Sequence, residues 1–206
     1  MAPSEPKTPG SIAGIVLAAG AAERMGEAKQ LMPFHGMPLV QHVVDAANAS
    51  QLDEVVVVTG AFGDEVEAAL HPGKATTVRN PDFRRGNMSS LACGAAQVPS
   101  AEAFVLLMGD QPDIRIDVID EMISLWRQDR PWGAVTAYRD RVAHPFLLSR
   151  SAYDEAVATG GPKRLWRFLV EDTTDRVARL QIDDSAPTDV NTPDDYDELL
   201  KNGGNE

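Results

Sequence analysis

Cysteine is almost missing from this chain: Cys93 is the only one in 206 residues. That excludes an internal disulfide framework and fits a reducing compartment. Positive charge is also scarce, with 19 Lys and Arg against 31 Asp and Glu and a formal net charge of −12. A broad nucleic-acid or anionic-membrane surface needs a positive field, so neither partner is expected. No apolar run approaches the about 20 residues that span a bilayer. The opening MAPSEPKTPGS holds Pro3, Pro6 and Pro9 and no apolar core, so it reads as a flexible tail and not a signal peptide. The Gly-Lys-Ser/Thr of a Walker A loop and the Gly-x-Gly-x-x-Gly of a dinucleotide site are both absent. A cytoplasmic protein remains, for which a small phosphate-binding pocket is compatible with the acidic balance.

What is present is a regular alternation. Apolar, β-branched runs occur at 12–17, 55–59, 76–78, 104–108, 134–138 and 145–148, with a weaker one at 177–182. Between them lie stretches at helical spacing: Leu39, Val40, Val43, Val44 and Ala47; Val66, Ala69 and Leu70; Val118, Ile119, Met122, Ile123 and Trp126. Strands alternating with helices predict an α/β fold, a Rossmann-like, mostly parallel sheet with helices on both faces. The expected single domain spans 12–200, between flexible tails at 1–11 and 201–206. Right-handed crossovers then put ligands at the carboxyl ends of the strands.

The first strand runs into LAAGAAERMGEAK, Leu17 to Lys29. Ala18, Ala19, Gly20, Ala21 and Ala22 put little side chain between backbone N–H groups and an anion, and Arg24 and Lys29 are the cations nearby. Taken alone, the segment also fits an ordinary strand-to-helix turn with solvated cations. A second motif, Gly109-Asp110-Gln111-Pro112, follows the apolar run 104–108. A carboxylate at a buried strand's carboxyl end can hold Mg²⁺ while phosphate supplies further oxygens; Asp110 could equally cap the helix that begins near 114–117. In Asp189-Val190-Asn191-Thr192-Pro193, Thr192 as N-cap and Pro193 at the first helical position make a helix start. That leaves Asp189 unexplained, and free to complete a Mg²⁺ site with Asp110.

Further candidates are weaker singly. Asn80-Pro81 with Gly86, Ser89 and Ser90 reads as a turn and cap, or as a loop that brings Asn80 and Ser90 to a base edge, Gly86 allowing close approach. His144-Pro145 enters an apolar strand, where histidine is more often structural. Gly60 closes the run 55–59 and reads as a turn glycine. Cys93 reads as a packed thiol.

In this order the motifs resemble those of the MobA-like nucleotidyltransferases, most closely the molybdenum cofactor cytidylyltransferases, over about 12–200. The resemblance implies transfer of a nucleoside monophosphate from a nucleoside triphosphate to the phosphate of molybdopterin, with release of pyrophosphate. It implies that Leu17, Ala18, Ala19 and Gly20 hold base and phosphates, that Arg24 and Lys29 bind the triphosphate, and that Ser90 lies near the base. Asp110 and Asp189 would bind Mg²⁺, and His144 would face the acceptor. Ala18-Ala19 resembles the cytidylyl branch, and a methyl at Ala19 would narrow the base pocket, so CTP is favoured over GTP. A monomer is expected, with a recipient molybdoenzyme as downstream partner. The chain departs from the family at Gly86-Asn87-Met88-Ser89-Ser90-Leu91, where Gly-Met-Ser-Ser-Ser-Leu is common. It departs again at 160–164, where Gly-Gly-Pro-Lys-Arg replaces an acidic segment that would face the acceptor.

Overall fold

The computed structural model describes residues 10–21, 28–159, 169–170 and 175–203. The first strand, β1 (Ile12–Ala18), is central and buried along its whole length. A two-residue hairpin follows, β2 (Pro33–Phe34) with β3 (Met37–Pro38), and leads into α1 (Leu39–Ala49). The chain continues through β4 (Glu54–Thr59), α2 (Gly63–Ala69), β5 (Thr76–Arg79) and α3 (Asn87–Ala95). Then come β6 (Ala103–Met108), α4 (Ile116–Asp129), β7 (Gly133–Tyr138), β8 (Val142–Ser149) and α5 (Arg150–Thr159). Last are β9 (Val177–Ile182) and α6 (Pro193–Gly203), the latter reaching into the stretch expected as a tail.

Seven strands form one sheet in the order β5-β4-β1-β6-β8-β7-β9. The pairs β1–β4, β1–β6, β4–β5 and β7–β9 are parallel, while β8 runs antiparallel to both neighbours. The sheet is mostly parallel, as the alternation predicts. The reversed strand was not predicted, because a buried apolar run carries no sign of its direction.

Alternation along the strands sorts side chains into two layers. Ile12 and Val16 enter one layer with Val40, Val43 and Val44 of α1 and Ile119, Met122 and Ile123 of α4. Ala13, Ile15 and Leu17 enter the other with Leu91 and Ala95 of α3 and Ala152 of α5. Each fully buried Leu, Ile or Val contributes about 1.5–3 kcal/mol, and both faces of the sheet are covered in this way. A smaller cluster of Phe34, Leu39, Val190 and Leu199 fastens α6 to the hairpin, where the Tyr196 hydroxyl donates to Pro33 O at 2.5 Å.

The register aligns Ala18 with Thr59 and Leu17 with Met108. Three parallel strands thus end side by side, and the chain turns left to β4 and later right to β6. That is a topological switch point, the crevice where open α/β sheets bind ligands. Among the described residues, no helix is long and apolar enough to cross a membrane.

Candidate active site

The loop after β1 lies between the ends of β4 and β6, and close packing dictates its small residues. A Cβ added at Gly60 would stand 2.5 Å from the Ala19 carbonyl oxygen and 2.7 Å from its methyl. Gly60 is therefore more than a turn residue: it lets β4 press on the loop, and Ala61 N–H donates to Ala19 O at 3.4 Å. Ala18 and Ala19 are both buried. From the other side Gln30 Nε2 donates to Gly20 O at 3.3 Å. The loop is held at three points before any ligand arrives.

Asp110 follows β6 and is buried. It caps no helix, since Arg115 occupies the N-cap position of α4. Its Oδ2 pairs with the Lys29 ammonium, with side-chain exposures of 8% and 12%, and Lys29 Nζ also donates to Asn191 Oδ1 at 2.9 Å. Asp189 is adjacent: Gln111 Nε2 donates to its Oδ1 at 2.6 Å, and Val190 N–H donates to Asp110 O at 3.2 Å. Burial, then the neighbouring negative charge of Asp110, pushes the Asp189 carboxyl above the usual carboxylate range. Arg141 stands 3.8 Å from Asp189 Oδ2.

The segment that carries Asp189 and Asn191 is fixed by the start of α6. Thr192 Oγ1 accepts from Asp195 N–H at 3.3 Å, while Asp195 Oδ2 accepts from Thr192 N–H at 2.7 Å and Asn191 N–H at 2.9 Å. This is a reciprocal capping box with Asp in the acidic position. The sequence reading finds the Thr192 cap; the structure adds that the cap aligns Asn191 with Lys29.

On the other side of the crevice, Gly86 takes φ +93°, a left-handed value that favours glycine, and occupies the N-cap position of α3. Asn80 is buried. Its Nδ2 donates to Ser89 Oγ and Ser90 Oγ, both at 3.0 Å, and its Oδ1 accepts from Asp82 N–H at 2.9 Å. Asn80 thus holds the two serines. A cavity of about 200 Å³ is lined by Leu17, Ala19, Gly20, Lys29, Gln30, Phe83, Asn87, Ser90, Met108, Asp110 and Asn191. Ser90 reaches it, whereas Asn80 stands behind Ser90. Arg24 and the 160–164 segment lie outside the described residues.

Three buried oxygens here have no hydrogen-bond partner among the described residues: Gln30 Oε1, Asp110 Oδ1 and Gln111 Oε1. Such groups are costly unless something else satisfies them. Two adjacent carboxylates, one with a free buried oxygen, suit a hard divalent cation that takes its remaining ligands from phosphate and water. Among the described residues no cluster of three or more His, Cys, Asp or Glu is placed to hold a metal.

Residues 14–177 match the model of the MobA-like NTP transferase domain. The chain belongs to this family. It is 27% identical to molybdenum cofactor cytidylyltransferase of Escherichia coli K12 over 187 residues, 88% of this chain and 92% of that protein. It is 26% identical to the purine catabolism protein PucB of Bacillus subtilis 168, over 89% of this chain and 93% of that one. Among solved structures, Rv0371c of Mycobacterium tuberculosis H37Rv superposes with a TM-score of 0.84 at 31% identity, covering 94% of this chain and all of that one. A second structure of Rv0371c, in complex with manganese, superposes at 0.78. The protein is accordingly a nucleotidyltransferase enzyme, of a family in which divalent metals are common.

Two other features of this nucleotidyltransferase lie outside the small cavity. His144 is part-buried at the start of β8, near the end of β6, its ring 4.2 Å from that of Phe146; burial lowers its imidazole to about 4. It lines neither the small cavity nor a larger cleft of about 990 Å³, which Arg115, Arg141, Asp113, Asp184 and Asp189 help to line. Gln30, Gln111, Asn191 and Arg141 were not singled out from the sequence as site residues. Neutral amides carry no spacing signal, and the only cue was their place beside Lys29, Asp110 and Asp189.

Proposed function

We propose that this nucleotidyltransferase moves CMP from CTP to the phosphate of molybdopterin in the cytoplasm, with Mg²⁺ as cofactor and pyrophosphate as second product. The observation that carries the reading is the meeting of Asp110, Lys29 and Asn191 against the Ala19–Gly20 loop, with Asp189 held next to them by Gln111. Similarity along most of the chain to the E. coli cytidylyltransferase supports the choice of nucleotide and acceptor.

The backbone of Ala18, Ala19 and Gly20 would meet the phosphates, beside Leu17 at the strand end. Lys29 would exchange part of its contact with Asp110 for the triphosphate, and Arg24 would add a second cation. Ser90, held by Asn80 and introduced by the Gly86 turn, would meet the base, and the methyl of Ala19 in a small cavity favours a pyrimidine. Asp110 and Asp189 would hold Mg²⁺, which supplies charge neutralisation and alignment of the phosphates. In-line displacement needs positioning and charge stabilisation more than a protein acid or base. We therefore assign no protein nucleophile: an acceptor phosphate oxygen attacks the α-phosphorus and pyrophosphate departs. His144 is assigned to the acceptor side on its place in β8, next to β6.

The test mixes protein, Mg²⁺ and metal-loaded molybdopterin with each nucleotide in turn, reading pyrophosphate release and product mass. Product with CTP and not with GTP is expected. Turnover with GTP alone would make this a guanylyltransferase, and turnover only with another phosphate acceptor would reject the pterin.

A further inference from the structure

We propose that Gln111 is the positioning residue of the metal site, fixing the Asp189 carboxylate beside that of Asp110. This rests on the reading of Asp110 and Asp189 as the metal-holding pair. Asp189 sits between β9 and α6, outside any helix or strand, and its side chain is 43% exposed. A carboxylate so placed would sample several rotamers. What holds it is the Gln111 amide at 2.6 Å, with Arg141 more distant at 3.8 Å.

Gln111 itself is well anchored: it is 1% exposed, and its backbone N–H donates to Met108 O at 3.1 Å, at the end of β6. A buried amide whose Oε1 has no partner makes poor core filling, because an apolar side chain of equal volume would leave nothing unsatisfied. Its donor end, by contrast, has a defined task. A neutral donor orients one carboxylate oxygen without cancelling the negative charge that a divalent cation needs, whereas an ammonium there would compete with the cation. Outer contacts of this kind orient metal ligands and tune affinity. Gln111 directly follows Asp110, so one short loop supplies one carboxylate and the brace for the other.

The test titrates Mn²⁺ alone into the protein, followed by electron paramagnetic resonance, with melting temperature measured in parallel. Gln111→Met keeps the volume and removes the donor; Mn²⁺ binding about ten-fold weaker or worse is expected, with melting unchanged or raised. Wild-type Mn²⁺ affinity in Gln111→Met would overturn the proposal. Should that variant not fold, Gln111→Asn keeps an amide too short to reach Asp189, and the same loss of affinity is expected. Asp189→Asn separates the two readings. If it binds Mn²⁺ normally, or if the unsubstituted chain binds none, the metal assignment fails and this inference with it. If Asp189→Asn is weak and Gln111→Met is normal, only the role of Gln111 fails.

Discussion

Two clefts meet at Asn191, which lines both, and are built on opposite principles. The smaller, about 200 Å³, brings together small residues, Lys29 and Asp110, and beside it stand buried oxygens without partners. The larger, about 990 Å³, is lined by charges that satisfy one another. Arg115 pairs with Asp117 and with Asp184, the latter at 2.9 Å; Arg141 pairs with Asp140 at 2.9 Å and donates to Pro187 O at 2.6 Å; Asp113 accepts from Thr188 N–H at 3.0 Å. Volume is thus a poor guide to reactivity here. The small crevice holds the unsatisfied groups, and a ligand that satisfies them gains the most.

The contrast breaks most sharply at Asp110. Asp110→Ala should lower turnover by about 10²-fold or more while far-ultraviolet circular dichroism stays native; an undiminished rate of pyrophosphate release would remove Asp110 from the chemistry. Lys29→Met should cost nearly as much rate, again about 10²-fold. It also strands a buried carboxylate, so the metal-free protein should melt at a lower temperature, and added Mn²⁺ should restore part of the loss. Thermal scans of variant and parent, with and without Mn²⁺, check this, and equal melting of the two metal-free proteins would show that Lys29 is no counter-ion.

His144 gives a pH-dependent difference. Its imidazole is lowered from 6.5 to about 4 by burial, so the unfolded chain takes up the proton first as pH falls. The neutral ring's contribution is complete above pH 6.5 and is lost as pH falls towards 4. Asp113 and Asp189, raised by burial, slope the other way, so His144→Gln is the clean comparison. Its melting temperature should depend less on pH between 6.5 and 4 than the parent's, and parallel curves would refute the assignment. The smallest effect belongs to the large cleft. Arg115→Ala breaks exposed ion pairs only, so stability should change within about 0.5 kcal/mol and turnover less than two-fold in steady-state assays. A large loss of rate would move the acceptor into that cleft.

The sheet was legible in the sequence because its strands are apolar runs bounded by polar turns. Even the weak run at 177–182 is β9. The hairpin at Pro33–Phe34 and Met37–Pro38 was not, since two-residue strands show no period. Leu70 fits the helical spacing of α2 yet lies just beyond it, as its C-cap. In the site, Asp110 and Asp189 stood out as acids at a strand end and before a cap. Asn80 read as a turn residue or a contact to the base, because sequence does not reveal that it is buried behind Ser90. Gln30 and Gln111 stayed hidden because an uncharged amide in an apolar neighbourhood looks like any other polar residue until its partner is known.

The capping box at Thr192 and Asp195 has one more consequence. The acids and amides of the crevice come from the beginning, middle and end of the chain, and the last to be synthesised are aligned by a helix that starts right after them. A nascent polypeptide that has finished β6 but not α6 therefore carries Lys29 and Asp110 without the other half of their setting. Catalytic competence arrives only once α6 has been made, so a product released before it should be inert.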